Sequence, residues 1–148
     1  MIQTITIKEL DAKEIPEALD LAWQVFMAYE APDYTNEGVE EFYQSIHDVR
    51  YLAQLQIFGA FAADKLVGVI ASRCAGSHIA LFFVDGAYQR QSIGRRLLEA
   101  LLELCSSDTM TVNSSPYAVS IYHKLGFYDT DQEQVINGLR FTPMARKV

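Results

Sequence analysis

A chain of 148 residues, half of them hydrophobic, can bury one substantial core, and we expect a single globular domain over residues 1–148. The formal net charge of −7 argues against nucleic acid or an anionic membrane as the main partner. No apolar run approaches the ~20 residues that span a bilayer, and MIQTITIKEL lacks the apolar stretch of a signal peptide, so we expect a cytoplasmic protein.

The chain begins with the pattern of one strand and two helices. The β-rich run IQTITIKEL, residues 2–10, predicts the first strand. Apolar residues at helical spacing then predict a helix over residues 15–31, with Pro16 tolerated in its first turn and Pro32 ending it. A second apolar stripe over residues 39–49 predicts another helix.

Three strands and a helix are predicted in the middle of the chain. IFGAFAADKLVGVIA, residues 57–71, predicts a hairpin around a tight turn at Asp64-Lys65, and HIALFFV, residues 78–84, predicts a third strand. The next helix has an apolar face and a charged face, made respectively by Ile93, Leu97, Leu101, Leu104 and Cys105, and by Arg95, Arg96, Glu99 and Glu103.

The sequence pattern of the last third of the chain predicts a strand, a helix and a closing hairpin. MTV at residues 110–112 predicts a short strand, and Pro116 begins a helix that Gly126 stops as a C′ glycine. Asn137-Gly138 predicts the turn of the closing hairpin. A strand–helix–strand unit implies a parallel pair because parallel strands need a crossover, whereas the hairpins are antiparallel. The element order therefore predicts an α/β protein with a mixed sheet.

YQRQSIG, residues 88–94, joins a predicted strand to the helix that follows it. The first N–H groups of a helix lack internal partners and carry partial positive charge, so they bind phosphate well. Gly94 has no Cβ to obstruct a close approach, and Ser92 is a favoured N-cap. Arg90 and Arg95 can add charge-assisted contacts to a pyrophosphate. The alternative is a capped surface helix with ordinary solvated arginines.

Two segments resemble the signatures of the GNAT N-acetyltransferase superfamily. YQRQSIG is similar to its loop Q/R-x-x-G-x-G/A, with Ser92 in place of the first glycine, and LFFVDGAY, residues 81–88, is similar to its cofactor-binding strand. AVSIYHKLGF, residues 118–127, resembles its signature A-x-x-x-Y-x-x-x-G-F. The resemblance implies a mixed, mostly antiparallel sheet whose central parallel strand pair splays, flanked by about four helices.

The resemblance also implies acetyl-coenzyme A as the cofactor. In the family the loop cradles the pyrophosphate, and the preceding strand offers backbone groups to the pantetheine arm. The cofactor-binding residues implied here are Phe82, Phe83, Val84, Gln89, Arg90, Gln91, Ser92, Ile93, Gly94 and Arg95. A further contact falls on Asn113 or Ser115, between which the sequence does not decide.

The implied reaction moves an acetyl group from acetyl-coenzyme A to a primary amine by direct transfer in a ternary complex. Tyr122 would donate its phenolic proton to the leaving thiolate, since a phenol with a pKa near ~10 stays protonated at neutral pH. The other interpretation of Tyr122 is a core aromatic. Cys105 lies on an apolar helix face, which favours a buried thiol over a nucleophile. No Cys/His cluster has metal-ligand spacing, so we expect no metal.

The general base remains open among Glu30, Asp33, His78 and Asp85, with water-mediated deprotonation as a further alternative. Asp85 is also interpreted as a turn residue with local hydrogen bonds. His78, at the start of a strand, is more typical of a structural or surface histidine.

Substrate information lies in YEAPDYTNEG, residues 29–38, because in the family the link between the first two helices walls the acceptor site. Tyr29, Glu30, Asp33 and Tyr34 suit a cationic amine by charge and cation–π attraction. The alternative is a set of solvated acidic residues. We expect a small-molecule or peptide amine as acceptor. The chain would be a monomer or a homodimer, the latter by pairing of its LRFTPM strand.

Two functions from other classes are alternatives. A non-catalytic acetyl-coenzyme A sensor would use the same cleft to control a partner protein. A nucleotide-binding module would use the glycine turn for another phosphate ligand, but the chain lacks both G-x-x-x-x-G-K-S/T and a full G-x-G-x-x-G.

Overall fold

The computed structural model describes residues 4–89 and 91–148, in which helices and strands follow one another in a mixed order. The strands are β1 Ile5–Glu9, β2 Gln56–Ala62, β3 Lys65–Arg73, β4 His78–Val84, β5 Thr109–Ser114, β6 Tyr128–Asp129, β7 Gln134–Ile136 and β8 Leu139–Lys147. The α-helices are α1 Ile15–Val25, α2 Asn36–Ile46, α3 Val49–Leu52, α4 Ile93–Leu104 and α5 Val119–Lys124. Residues 2–3 of the predicted first strand and Arg90 of the predicted phosphate loop lie outside the described residues.

The strands form a mixed sheet in the order β1-β2-β3-β4-β5-β8-β6, with β7 paired to β8. Every pair is antiparallel except β4 with β5, which α4 connects by a crossover. The predicted mixed, mostly antiparallel sheet with a central parallel pair is confirmed. None of the helices in the described part of the chain is both long enough and apolar enough to cross a bilayer.

A hydrophobic core lies on each face of the sheet because the central strands alternate their buried side chains. On one face, Ile70 of β3 packs with Leu97 and Leu101 of α4. On the other, Val69 packs with Ala22 of α1 and with residues of α2. Since β3 is buried on both faces, it has the continuous apolar sequence expected of a central strand.

The predicted first helix is α-helical only as far as Val25. It continues as a π-helical turn, Phe26–Glu30, in which the N–H of Ala31 donates to the carbonyl of Phe26, and then as a 3₁₀ turn, Ala31–Asp33. Pro32 lies within that last turn. The wider π turn breaks the 3.6-residue period, so the side chains after Phe26 do not follow the apolar stripe read from the sequence.

The predicted second helix is divided into α2 and α3, which raises the number of α-helices in the described chain from about four to five. The division falls at Asp48, whose carboxylate accepts hydrogen bonds from the N–H groups of Arg50 and Tyr51 and caps a new helix. The cap at Asp48 interrupts the predicted helix, although the apolar stripe of the sequence continues past this residue.

Smaller differences concern turns and ends. The first hairpin turns at Ala63-Asp64, one residue earlier than predicted, because Ala62 pairs with Lys65. The helix predicted from Pro116 begins only at Val119, since the N–H of Ala118 is held in a turn by the carbonyl and hydroxyl of Ser115. Leu104, predicted on the apolar face, is 53% exposed at the end of α4.

Pairing of the closing strand across a dimer stays a prediction, and most of β8 is already paired within the sheet. One edge of β8 pairs with β5, and its other edge pairs with β6 and β7. Within the LRFTPM segment, Leu139, Arg140 and Phe141 pair with β7, and pairing with β5 begins at Thr142. The turn of this hairpin is confirmed, with positive φ angles at both Asn137 and Gly138.

The end of α5 explains three residues of the tyrosine signature. Gly126 has φ +94° and its N–H donates to the carbonyl of His123, while the N–H of Phe127 donates to the carbonyl of Tyr122. These two bonds form a Schellman motif, and the rings of Tyr122 and Phe127 make its accompanying apolar contact, with centroids 5.3 Å apart. Gly126 is confirmed as the C′ glycine, and the motif holds the Tyr122 side chain in place.

We expect Gly126→Ala to lower the free energy of unfolding by about 1–2 kcal/mol, because an L-residue resists the left-handed conformation. An added Cβ would lie 3.5 Å from the Arg146 side chain, so steric overlap contributes little. Urea unfolding measures the effect. Gly126→Asn is the control and should lose less, since asparagine tolerates this conformation. An alanine variant as stable as the parent would contradict this account.

Candidate active site

The parallel strands β4 and β5 pair only at their beginnings. His78 is in register with Thr111 and Ile79 with Val112, and no further pairing follows among the described residues. At the same point β4 contains a bulge: consecutive residues of β3 pair with Ile79 and Leu81, which leaves Ala80 unpaired. The bulge bends β4 away from β5 and opens a gap in the sheet from Ala80 onward.

The open edge of β4 presents backbone groups of alternate residues. The N–H of Asp85 donates to the carbonyl of Val67 on β3 at 2.8 Å, so in an antiparallel strand the groups of Phe82 and Val84 point away from β3. The side-chain amide of Gln89 donates to the carbonyl of Val84 at 3.2 Å, as this direction requires. The backbone of Phe83 instead faces β3, and only its side chain reaches the gap.

A cavity of about 320 Å³ occupies the gap between the two strands. Its walls come from β4, β5, the start of α5, the π turn, α2 and the closing hairpin. The lining residues are Phe26, Glu30, Tyr34, Glu41, Phe42, Ser45, Tyr51, Ile79–Phe83, Val112, Asn113, Ser115, Ala118, Tyr122, Ile136, Asn137 and Leu139–Phe141.

Tyr122 lies at the inner wall of the cavity and is 6% exposed. Its ring packs edge-on against Phe82, with centroids 6.0 Å apart. Within the described chain no group makes a hydrogen bond to its hydroxyl, which leaves that polar atom available to a ligand. Burial, together with the nearby Glu30 carboxylate, raises the pKa of Tyr122 above its ordinary value, so the hydroxyl keeps its proton at neutral pH.

Glu30 is a carboxylate at the cavity wall, on the last residue of the π turn. Desolvation raises the pKa of Glu30 to about 7, with a smaller contribution from the negative charge of Asp33 and against the opposing effect of the Ser115 hydroxyl. A carboxyl group with this pKa exchanges a proton near neutral pH, which is the property of a general base or acid.

Aromatic rings form the wall between the π turn and α2. Phe26 stacks on Phe42 with centroids 4.0 Å apart and on Tyr34 at 5.6 Å. Burial and the charge of Glu30 raise the pKa of Tyr34 above its ordinary range. The cavity therefore combines stacked rings with a carboxylate, an arrangement that suits an amine on an apolar carrier.

The closing hairpin covers the cavity by docking on α2. Gly38 and Gly138 touch backbone to backbone: a Cβ on Gly38 would overlap the carbonyl of Gly138, and one on Gly138 would lie 2.8 Å from the hydroxyl of Thr35. Thr35 caps α2 through the N–H of Gly38. Beside this contact Arg140 donates to the carbonyl of Asp33 at 3.3 Å. Glycine is needed at both positions because only a bare backbone permits so close an approach.

The N-terminus of α4 has no side-chain cap in the described residues. Ser92 occupies the N-cap position, since its carbonyl accepts the N–H of Arg96, but its hydroxyl bonds to no helix amide. The predicted N-cap position of Ser92 is confirmed, but its side chain does not cap the helix, because the backbone of Ser92 is left-handed, with φ +64°. Glycine adopts this conformation without strain, which explains the glycine of the family motif at this position. The first-turn amides remain open to an anion.

The other predicted loop residues differ in exposure. Gln91 and Arg95 are exposed, whereas the side chain of Ile93 is buried, so Ile93 can offer only backbone groups. A Cβ on Gly94 would meet the Phe82 ring at 3.4 Å, which shows that this glycine also lets α4 approach β4.

Both alternatives for the further cofactor contact line the cavity. Ser115 is buried, and its hydroxyl already accepts the N–H of Ala118. Asn113 is exposed at the end of β5, and its side chain makes no hydrogen bond to the described chain.

Glu30 and Tyr34 are the predicted acceptor residues that line the cavity, whereas Tyr29 and Asp33 do not. Tyr29 packs on Tyr117 and borders a separate depression near Gly86. Asp33 is exposed and acts on the cavity only through its charge and its carbonyl.

The two remaining base candidates also lie outside the cavity lining. Asp85 accepts the N–H of Ala87, which confirms the turn role. His78 bonds to the hydroxyl of Thr111, and burial lowers the pKa of His78 to about 4.

Sequence reasoning missed the cavity residues of α2 and of the closing hairpin. The most informative are Glu41 and Arg140, because they are charged. The Asn137-Gly138 turn signal predicted that the hairpin exists, but no local pattern indicates where a hairpin docks.

Comparison with known proteins identifies the family. A family model described as an acetyltransferase (GNAT) domain matches residues 30–148. None of the curated protein sequences matches the chain significantly.

Solved structures share the fold over the whole chain. A GCN5-related N-acetyltransferase from Rhodopseudomonas palustris has a TM-score of 0.84 at 20% identity and covers 100% of this chain and 99% of its own. The PaiA N-acetyltransferase from Thermoplasma acidophilum, in complex with coenzyme A, has a TM-score of 0.78 at 20% identity, with coverage of 98% and 99%. The ribosomal-protein-S18-alanine N-acetyltransferase from Escherichia coli has a TM-score of 0.63 at 20% identity, with coverage of 97% and 94%.

The family model covers well over half of the chain, and the structural similarity covers the part that the model leaves out. The diverging strands β4 and β5 and the uncapped N-terminus of α4 agree with this family match. The chain belongs to the GNAT family and is an acetyltransferase that uses acetyl-coenzyme A.

Proposed function

We propose that the enzyme acetylates a primary amine by direct transfer in a ternary complex, within the cavity between β4 and β5, and that residues 1–148 form a single catalytic domain. One observation carries the proposal. The same cavity contains an unpartnered tyrosine hydroxyl and a carboxylate with a pKa near neutrality, next to the unpaired edge of β4. These are the proton donor, the proton acceptor and the backbone donors that an amine acyl transfer needs.

The residues of the gap fit acetyl-coenzyme A. The open backbone edge at Phe82 and Val84 suits an amide-containing arm, and the uncapped amides of α4, with Gly94 and Arg95, suit a pyrophosphate. When bound, the cofactor supplies a thioester-activated acetyl group. Asn113 is the better supported of the two further contacts because its side chain is not already engaged. The predicted contacts of Gln89, Gln91, Ser92 and Ile93 belong to the same proposal.

Glu30 is the proposed general base. An amine attacks only through its neutral form, so a proton must leave the nitrogen before or during bond formation. The carboxylate of Glu30 takes that proton, and its raised pKa makes it basic enough to do so while it is still ionised at neutral pH. Burial of the carboxylate among aromatic rings also favours the approach of a cation.

Tyr122 is the proposed general acid. Its hydroxyl holds a proton at neutral pH because its pKa is raised, and it faces the cavity with no other partner among the described groups. It donates that proton to the departing sulfur. The charge of Glu30 is itself one cause of the raised pKa, so the base helps to keep the acid protonated.

Direct transfer is supported by the position of the cysteines. Cys74 is exposed, and Cys105 lies at the end of α4, where its thiol contacts the carbonyl of Ser107. Neither is among the described residues that line the cavity. Neither cysteine is therefore placed to accept the acetyl group and form an acetyl-cysteine intermediate.

Release of free thiol from acetyl-coenzyme A over a broad panel of primary amines tests the proposed function, with the acetylated amine confirmed by mass. Amine-dependent release supports it. Tight cofactor binding, measured by thermal shift, without turnover of any amine would contradict it and favour a sensor of acetyl-coenzyme A.

Tyr122→Phe should lower kcat by about 100-fold, the usual contribution of a general acid, and change cofactor affinity little. Stability should fall by less than about 1 kcal/mol, because the hydroxyl has no partner in the described structure. Steady-state kinetics and a thermal-shift titration with coenzyme A separate the two effects. Unchanged turnover would remove Tyr122 from the mechanism.

Glu30→Gln should lower kcat/KM by about 100-fold and change its pH profile. In the parent, kcat/KM should rise with pH through two ionisations, that of Glu30 at about 7 and that of the free amine at higher pH. The variant should lose the lower ionisation and keep the upper one. A profile with the lower ionisation intact would assign it to another group.

Glu30→Gln should lower activity but raise stability at neutral and higher pH. The folded state holds the Glu30 proton up to about pH 7, whereas the unfolded chain releases it near 4.5, so the parent loses stability as pH rises between these values. Above pH 7 Glu30→Gln should therefore be more stable than the parent, by up to about 3 kcal/mol, and the difference should vanish below pH 4.5. Urea unfolding at several pH values measures this. A variant that is less stable at every pH would refute burial as the cause of the shift.

A further inference from the structure

We propose that the acceptor carries a second cationic group and that Glu41 binds it, which makes a terminal diamine the preferred substrate class. This inference rests on the proposed function, because it assumes that the first amine reacts beside Glu30 and Tyr122. It adds a specificity-determining residue on α2, at the opposite side of the cavity from the sheet.

The charges of the cavity favour a dication over an amino acid. Among the described lining residues, Glu30, Glu41 and Arg140 are charged. The guanidinium of Arg140 is already engaged by both carboxylate oxygens of Glu133, at 3.2 and 3.3 Å, and by the carbonyl of Asp33. A substrate carboxylate would have to compete with Glu133 for this cation. The two glutamates have no such partner.

Glu41 is half-buried and makes no ion pair within the described part of the chain. Its carboxylate accepts one hydrogen bond, a long one of 3.4 Å from the amide of Asn137. A partly desolvated carboxylate at the wall of a cavity gains more from a cation than one in free solvent. The position therefore favours an ammonium group.

Glu41 differs from the other glutamates of α2 in its position on the helix. Gly38, Phe42 and Ser45 face the hairpin and the cavity, and Glu41 lies beside them on that face. The other glutamates of the helix, such as Glu40, are exposed. Glu41 is thus the glutamate of α2 that combines partial burial with a place in the cavity wall.

Aromatic side chains line the cavity together with the two carboxylates. Glu30 comes from the π turn and Glu41 from α2, so the two cavity carboxylates lie on different elements of the wall. Phe26, Phe42 and Tyr51 line the cavity as well. A methylene chain lies favourably on such rings while its two ends reach the two carboxylates.

A second feature shows that this cavity is a ligand site. The Tyr122 hydroxyl is a polar group on a side chain that is more than nine-tenths buried, and it faces the cavity without a partner among the described residues. A ligand with a suitably placed polar atom can make the hydrogen bond that the described chain does not supply to this hydroxyl. Glu30 and Glu41 thus line the same cavity as this hydroxyl.

The test compares three acceptors with the same four-carbon chain: n-butylamine, its terminal diamine and its terminal amino acid. With the parent enzyme, kcat/KM should be about tenfold or more higher for the diamine than for the monoamine, because a second charge-assisted contact is made. The amino acid should be the poorest of the three.

Glu41→Gln should reduce the preference for the diamine over the monoamine by about tenfold, mainly through KM, since the contact exists before and during the reaction. Glu40→Gln is the matched control. It removes the same charge one residue away on the exposed face, where Glu40 bonds only to Gln44, and it should leave the preference unchanged. If both variants lose the diamine preference equally, the preference comes from the general negative charge of the protein and not from Glu41, which would overturn the proposal.

Different outcomes test the role of Glu41 and acetyl transfer itself. Equal turnover of monoamine and diamine, a preference for the amino acid, or turnover confined to other amines without a second cation overturns the role of Glu41 and leaves acetyl transfer standing. Absence of thiol release with every amine overturns the proposed function itself.

Discussion

The architecture of the site depends on the bulge at Ala80. Two strands joined by parallel pairing would normally continue side by side, and their backbone groups would satisfy one another. The extra residue in β4 ends this pairing after Ile79 and leaves the backbone groups of Phe82 and Val84 unpaired with β5, although the carbonyl of Val84 accepts a hydrogen bond from the side chain of Gln89. The sheet thereby gives up stabilising hydrogen bonds at its centre, and the gap that results is where cofactor and acceptor can meet.

The groups around this gap serve stability and chemistry at the same time. Tyr122 is held by the Schellman motif that ends α5 and by its contact with Phe127, so a core packing role accounts for the ring. Packing does not account for the hydroxyl, which faces the cavity. Glu30 and Tyr122 also influence each other, because the carboxylate raises the pKa of the phenol. An acid and a base in one desolvated pocket thus acquire pKa values suited to opposite roles.

The acceptor side is built from parts of the chain that are far apart in sequence. The π turn brings Glu30 to the cavity, α2 contributes Glu41, and the closing hairpin adds Asn137 and Arg140. Contact between Gly38 and Gly138 fixes the hairpin against α2, which determines the width of the cavity at this end. The shape of the acceptor side therefore depends on how the closing hairpin packs on α2. The cofactor side, in contrast, is formed by one continuous segment, β4 to α4.

The sequence by itself determined the elements whose signals are local. The bounds of β4 and the start of α4 follow from an apolar run and a helical period, and the Asn137-Gly138 turn and the Gly126 stop follow from backbone conformations that few residues tolerate. Tyr122 was found through its spacing to Gly126, because both belong to one helix end.

Tertiary structure alone decided the acceptor side. The π turn inserts a wider hydrogen-bonded ring, so Glu30 lines the cavity and its neighbour Tyr29 does not, although a helical period gives no reason to separate them. Ser92 bonds to no helix amide because its backbone is left-handed, a conformation that the sequence predicts for glycine rather than serine. The place of Glu41 beside the hairpin depends on contacts between residues about a hundred positions apart. Local periodicity carries no information about such contacts, since the free energy that selects them comes from packing of the whole fold.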